Sequence, residues 1–427
     1  MIVYKHSVSL DPEKCKGCTN CLRRCPTQAI RIRNGKARIN STLCIDCGEC
    51  IRHCPYKAKK ATFDEWDSLD HEKYLIALPA PSLFGQFANL DDADYLLQGL
   101  INLGFNEVFE VAKAAELVTD YTRAYMQRMG DAHMPFISTA CPVVVRLISL
   151  RFPTLRSKMV PVMPPIELAG KLAKERAMRD HPELNPDNVK TVFISPCPAK
   201  VSWVKNTPAE KDCYVDYVVS MSDIYFRLLS KMDRGRIPQV MSESGMIGMS
   251  WPTSGGEASA LMNDHYLAAD GIENIIRVLD DIEMGHFPDL KFVEMNACPG
   301  GCVGGVMTVE NPYIARVRIR SLQRYMQIQQ NHISIPEGEP LPREILTVEP
   351  GEYSSAEILD ADRMRSFRMM SEIERIRNLL PGMDCGSCGA PTCRAHAEDV
   401  VRGESKLDDC VIRMRELLRE LERDDGK

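Results

Sequence analysis

Sixteen of the 17 cysteines in this 427-residue chain fall into four groups of four. Cys15, Cys18, Cys21 and Cys25 form a C-x2-C-x2-C-x3-C-P run, and Cys44, Cys47, Cys50 and Cys54 repeat it. Cys141, Cys197, Cys298 and Cys302 are dispersed through the middle, and Cys385, Cys388, Cys393 and Cys410 close the chain. Thiolates in such runs are iron-sulfur ligands, and the potential of a cluster follows from its type and surroundings. Zinc motifs lack the third close cysteine and the following proline, so zinc is the weaker reading. A chain with this pattern must fold around metal and move or hold electrons.

The length allows two or three domains. An apolar content of 44% supports a core, and a net charge of -6 gives no electrostatic case for nucleic acid or an anionic membrane surface. No apolar stretch is long enough to span a bilayer, and the start, MIVYKHSVSLDPEKC, lacks the order of a secretory signal. The expected location is the cytoplasm of an anaerobe, where thiols stay reduced and favour metal.

Residues 1–65 read as one small unit. Its repeat continues past the cysteines, through Pro26-Thr27-Gln28-Ala29-Ile30 and Pro55-Tyr56-Lys57-Ala58. From residue 66 to 350, short apolar runs such as Tyr74–Leu78, Thr191–Ile194 and Phe292–Met295 alternate with helical stretches at Asp94–Leu103, Ala112–Met129 and Ile166–Arg179. That alternation predicts an α/β core with parallel sheets. Cys141, Cys197 and Cys298 each follow a predicted strand, and sites in such sheets gather beyond the strands' carboxyl ends. Distant cysteines can therefore converge. Residues 333–355, rich in Pro, Glu and Gly, read as a linker. The last segment, 351–427, reads as mostly helical. One helix has Met364, Phe367, Met370, Ile373 and Ile376 as apolar positions and stops at Pro381-Gly382. Another carries Leu407, Val411, Met414, Leu418 and Leu421 in an a/d stripe. Packing on its own domain is placed slightly ahead of a homodimer seam. Residues 422–427 read as a frayed polar end.

The N-terminal segment resembles a bacterial two-cluster ferredoxin, a small α+β unit. That resemblance implies one 4Fe-4S cluster on Cys15, Cys18, Cys21 and Cys54 and another on Cys44, Cys47, Cys50 and Cys25. His53 reads as a surface residue. The middle carries Ser138-Thr139-Ala140-Cys141-Pro142, Ser195-Pro196-Cys197-Pro198-Ala199-Lys200, and Glu294-Met295-Asn296-Ala297-Cys298-Pro299-Gly300-Gly301-Cys302-Val303-Gly304-Gly305. In order and flanks these resemble the three signatures of the iron-only (FeFe) hydrogenases. The resemblance implies an H-cluster, a cubane bridged to a two-iron unit carrying CO, cyanide and a dithiolate. Cys302 would be the bridge, with Cys141, Cys197 and Cys298 on the other corners. Lys200 would hydrogen-bond a cyanide, and Ala80, Pro81, Ser254, Gly255 and Gly256 would line the pocket. The glycines near Cys302 would let backbone approach a bulky cofactor.

The departures from that family pattern matter as much. Ala140 stands where catalytic members carry a proton-passing cysteine, and Trp203 where they carry a glutamate of the relay. Ser195 and Asn296 replace methionines that flank the two-iron site, which would change hydrogen bonding there. The pattern resembles the sensory subgroup and implies a slow enzyme, with protons moving through water or another side chain. The C-terminal cysteines resemble a small four-cysteine 4Fe-4S domain; His396 is a competing ligand there, and zinc the main alternative. Cys213 reads as a buried free thiol. The expected cofactors are thus three 4Fe-4S clusters and an H-cluster, and the expected substrates are H2 and protons. A ferredoxin-like redox partner and a signalling partner are expected. Two other functions stay open. One is a slow metabolic hydrogenase linked to ferredoxin, and the other is an iron-sulfur scaffold without the two-iron unit.

Overall fold

The computed structural model describes residues 5–207, 213–233, 235–262, 264–336, 339–346, 359–360 and 362–424. The chain packs as two compact units. Met1–Lys60 joins Tyr353–Lys427 in one, and Ala61–Glu352 forms the other. The first and last expected segments therefore share a unit. No described helix is long and apolar enough to cross a membrane.

In the first unit, β1 (Val8–Leu10) pairs with β4 (Lys59–Ala61), and β2 (Ile30–Arg33) pairs antiparallel with β3 (Lys36–Ile39). Asn34-Gly35 makes the β2–β3 turn with positive φ at both residues, as a two-residue hairpin of this twist requires. The sequence repeat is visible in the backbone. Gly17, Thr19 and Gln28 have positive φ, and so do Asp46, Gly48 and Lys57, each 29 residues later. Short helices Asn20–Arg23 and Glu49–Arg52 then carry Cys21 and Cys50. The apolar core of this segment is thin, with Leu22, Ile30, Ala37 and Ala58 buried beside Cys15. The C-terminal segment adds helices Arg363–Asn378, Cys393–Val401 and Val411–Asp424.

Two expectations for that segment need correction. Ile373 and Ile376 are buried, but Met364, Phe367 and Met370 are exposed. The apolar face of that helix is therefore only half covered. Met414 and Leu418 are also exposed, so the terminal stripe does not pack fully on its own unit. The side chain of Leu421 and residues 425–427 lie outside the described residues.

The second unit holds two parallel sheets. One runs β6 (Glu107–Val108), β5 (Tyr74–Pro79), β8 (Val189–Ser195), β9 (Tyr217–Ser220). The other runs β10 (Tyr266–Asp270), β11 (Phe292–Asn296), β7 (Phe136–Ile137). β5 and β8 are buried along most of their length, as strands covered on both faces should be. Helices Asp94–Leu103, Val111–Met129 and Pro165–Asp180 match the expected helical stretches to within a residue or so. The core is large, with Leu75, Ile76, Phe84, Phe87, Leu96 and Phe292 fully buried among many others. Part of the expected linker belongs to it. Leu341 and Ile345 are buried, and Ile345 accepts a backbone bond from Met163 (2.7 Å). Local composition reads as linker there because the anchoring partners are distant in sequence. Residues 337–338 and 347–358 lie outside the described residues.

Candidate active site and cluster sites

Each central cysteine enters at a strand's carboxyl end. Cys141 follows β7 and caps helix Pro142–Arg151; Cys197 follows β8 and caps helix Pro198–Lys205. Both helices start with proline at the first position, where the missing N–H is no loss. Cys298 follows β11, and Cys302 opens a short 3-10 turn to Gly304. The thiols of Cys141, Cys197 and Cys302 interact electrostatically with one another, and Lys200 acts on Cys197 and Cys302. Burial pushes the Cys302 thiol strongly up and Cys197 up to about 11. Such thiols stay protonated until a metal displaces the proton.

The glycines beside Cys302 have a reason in the protein itself. A Cβ on Gly301 would lie 2.6 Å from the Pro252 carbonyl oxygen and 2.7 Å from the Ser254 nitrogen, and Gly301 has φ of +96°. A Cβ on Gly305 would lie 2.2 Å from the Pro196 oxygen. Glycine thus lets the Cys302 loop press on the Ser254 loop and on the loop before Cys197. Ser254 donates its N–H to Gly300 (3.0 Å), and Gly255 donates to Glu294 Oε1 (3.0 Å). Ala80 and Pro81 are buried at the end of β5, where the turn Pro81–Gln86 begins.

Lys200 donates from Nζ to the Ala140 carbonyl (2.9 Å). Ser195 Oγ donates to the Cys197 carbonyl (2.9 Å) and accepts from the Cys197 N–H (3.2 Å), so it braces the loop at Cys197. Asn296 donates from Nδ2 to Glu294 Oε1 (2.6 Å). Trp203 donates its indole N–H to Glu167 Oε1 (3.0 Å), and burial holds the Glu167 carboxyl above its ordinary range.

Reading the sequence missed the acids of this pocket. Ala140 and Glu257 line one small cavity with Thr139, Val160, Val162 and Trp251. Ser138 Oγ donates to Glu257 Oε2 (2.6 Å) and accepts the Ala140 N–H (3.2 Å). Glu294 lies close enough to repel Glu257. Burial raises both carboxyls well above the ordinary range, and mutual repulsion adds to the shift at Glu257. Two buried acids that repel titrate as a unit, and one keeps its proton where an exposed acid would lose it. Glu257 follows the Ser254-Gly255-Gly256 string and Glu294 opens the segment that leads to Cys298, but nothing local in the sequence points them at Ala140.

In the first unit, Cys15, Cys18, Cys21 and Cys54 line one cavity. Cys25, Cys44, Cys47 and Cys50 line a second. The fourth cysteine of each run thus faces the other run's set. Ala29 N–H donates to Cys25 Sγ and Ala58 N–H to Cys54 Sγ, both at 3.2 Å. Lys59 tests what these cavities hold. It is 3% exposed, lines the first cavity, and its Nζ has no hydrogen-bond partner among the described residues. After burial itself, Lys59 is the largest influence on both Cys21 and Cys50. An unpaired buried ammonium is costly. An anionic iron-sulfur cluster supplies the missing countercharge, so the residues present fit that group.

At the C-terminus, Cys385, Cys388 and Cys410 interact, and Cys393 packs in the same apolar cluster as Cys410. His396 is buried, with Nδ1 3.5 Å from Ser405 Oγ. His53 is half-buried, not a surface residue, and pairs with the buried Glu49 (3.1 Å). Cys213 is only half-buried and donates to the Val215 carbonyl (3.2 Å).

A family model described as "Iron only hydrogenase large subunit, C-terminal domain" matches residues 73–266 and 257–306. A 4Fe-4S dicluster model matches 7–55, and an Fe-S cluster model matches 380–412. The periplasmic Fe hydrogenase large subunit of Nitratidesulfovibrio vulgaris is 27% identical over 365 residues, 70% of this chain and 86% of that protein. Iron hydrogenase 1 of Clostridium pasteurianum is 24% identical over 373 residues, 70% of this chain and 64% of that protein. Among solved structures, HydA1 FeFe-hydrogenase from Chlamydomonas reinhardtii aligns at 16% identity and a TM-score of 0.48, over 61% of this chain and 86% of that one.

Proposed function

Because the chain belongs to the iron-only hydrogenase family, we propose that it activates H2 reversibly at an H-cluster and passes electrons through three 4Fe-4S clusters. When bound, the H-cluster supplies the site at which H2 is cleaved or protons are reduced. Cys141, Cys197, Cys298 and Cys302 would hold that cluster through their thiolates. Lys200 presents a cation to its anionic ligands while anchored on Ala140. Ala80, Pro81, Ser254 and Gly255 wall the pocket. The accessory clusters sit on the ferredoxin-like pairs and on Cys385, Cys388, Cys393 and Cys410.

One observation carries the proton side: Glu257 faces the cavity beside Ala140, buried and bonded to Ser138. Glu257 holds the proton that a thiol at position 140 would otherwise hold. Ser138 fixes its orientation, and Glu294 keeps the pair from ionising fully. A general acid works best when its pKa lies near working pH, and burial moves a carboxyl that way.

The physiological role we propose is H2 sensing in the cytoplasm, with output to a signalling partner. Its support is Ala140 together with the C-terminal cysteine domain. Glu257 specifically favours a second reading, a metabolic enzyme of modest rate linked to a ferredoxin-like partner. Infrared spectroscopy after maturation tests the core of both. CO and cyanide bands are expected. Full iron content without those bands would refute the H-cluster and leave an iron-sulfur scaffold.

A further inference from the structure

The C-terminal cysteine loop does not hang free of the ferredoxin-like segment; the two pack within one unit. Four observations locate the contact. Ile32, which lines the cavity of Cys15, Cys18, Cys21 and Cys54, donates its backbone N–H to the Gly389 carbonyl (2.8 Å). Gly389 directly follows Cys388. Its φ is +83°, and a Cβ there would lie 2.2 Å from the Ile32 oxygen, so only glycine permits the approach. Leu22, next to Cys21, is fully buried and meets Gly386, next to Cys385; a Cβ on Gly386 would lie 3.1 Å from Leu22 Cδ2. Arg23 donates to the Cys385 carbonyl (3.0 Å). Finally, Asp399 is buried and clamped by Arg31 Nε (2.7 Å) and by Arg33, both on β2.

The residues beside two ligands of one set therefore touch the wall and the ligand neighbour of the other. We propose that the cluster on Cys385, Cys388, Cys393 and Cys410 is the electron-exchange partner of the cluster on Cys15, Cys18, Cys21 and Cys54. Arg31, Arg33 and Asp399 hold the pair in register. One electron leaves one reduced 4Fe-4S cluster and enters the other, oxidised one. No bond forms or breaks and no proton moves, and an external low-potential one-electron donor supplies the electron. This rests on the reading that both sets hold clusters. The C-terminal domain is then part of the electron circuit. A purely structural C-terminal domain would need no such approach of ligand loops.

Electron paramagnetic resonance on the full, reduced, cluster-loaded chain tests it. Cys388→Ala removes the C-terminal cluster and serves as the uncoupled reference. Spin relaxation of the Cys15-set cluster should be fast in the parent chain and clearly slower in Cys388→Ala. Gly389→Val should slow it as well while iron content is kept. If Gly389→Val loses its iron, the double variant Arg31→Ala/Arg33→Ala replaces it, with the same expected slowing. Less iron in Cys388→Ala with unchanged relaxation would overturn the pairing alone. Equal iron in Cys388→Ala and the parent chain would overturn the cluster reading and the pairing with it.

Discussion

The two units solve the same problem, holding sulfurs around metal, by opposite means. In the first, the ligands lie close in sequence, and the apolar clusters they join are small, with cysteines among their members. In the second, the cysteines come from three strand ends on two sheets, and the core beneath them is large without any cysteine. A thin core cannot offset the conformational entropy of its chain. Metal must therefore be part of the fold in the first unit, whereas the second can build its pocket before metal arrives.

Iron removal is the largest test of that contrast. Anaerobic chelation should collapse the first unit and leave the second folded. Limited proteolysis would then release a resistant fragment within residues 61–352, and uniform digestion of both units would break the comparison. Next in size, Glu257→Gln keeps the shape of the pocket but removes the proton. H2 turnover should fall by about 10²–10⁴-fold, the range for loss of a general acid, with iron content and infrared bands retained. Unchanged turnover would mean that protons enter elsewhere.

Smaller, and confined to the first unit, is the effect of Lys59→Met. The ammonium favours the more negative, reduced state of the clusters it faces. Its loss should shift their reduction potentials to more negative values in a redox titration followed by paramagnetic resonance. An unmoved potential would show that the charge is neutralised by something else.

The smallest effect is a slope of stability with pH in the second unit. Glu257 and Glu294 have raised pKa values when folded, through burial and, at Glu257, repulsion by Glu294. The native state therefore keeps protons that the unfolded chain releases. Stability from this source is full below the ordinary carboxylate pKa and declines as pH rises through the raised values. Denaturation of the apo chain at several pH values should show the decline, and Glu257→Gln should flatten it.

Much of this was legible beforehand. The strands that precede Cys141, Cys197 and Cys298 follow from the apolar pattern, and the place of Cys54 beside Cys15, Cys18 and Cys21 in one cavity from the ferredoxin resemblance. Spacing also gives the helix Asp94–Leu103, which the structure reproduces residue for residue. The acids were not legible. With Ala140 and Trp203 standing where the family relay has a thiol and a carboxylate, the pocket reads as poor in acids, yet Glu257 lines it from elsewhere and Glu294 acts on Glu257. Met364, Phe367 and Met370 show the converse. Their helical spacing promised burial, and no partner segment covers them among the described residues.

The sequence by itself determined the metal chemistry and the alternation of strands and helices, because ligand spacing and hydrophobic period are local properties of a chain. Only the tertiary structure decided which groups share a space: Glu257 with Ala140, Lys59 with two sets of thiols, Gly389 with Ile32. Those neighbours are dozens to hundreds of residues apart in most cases, and their charges act through distance and burial, which exist only once the chain has folded.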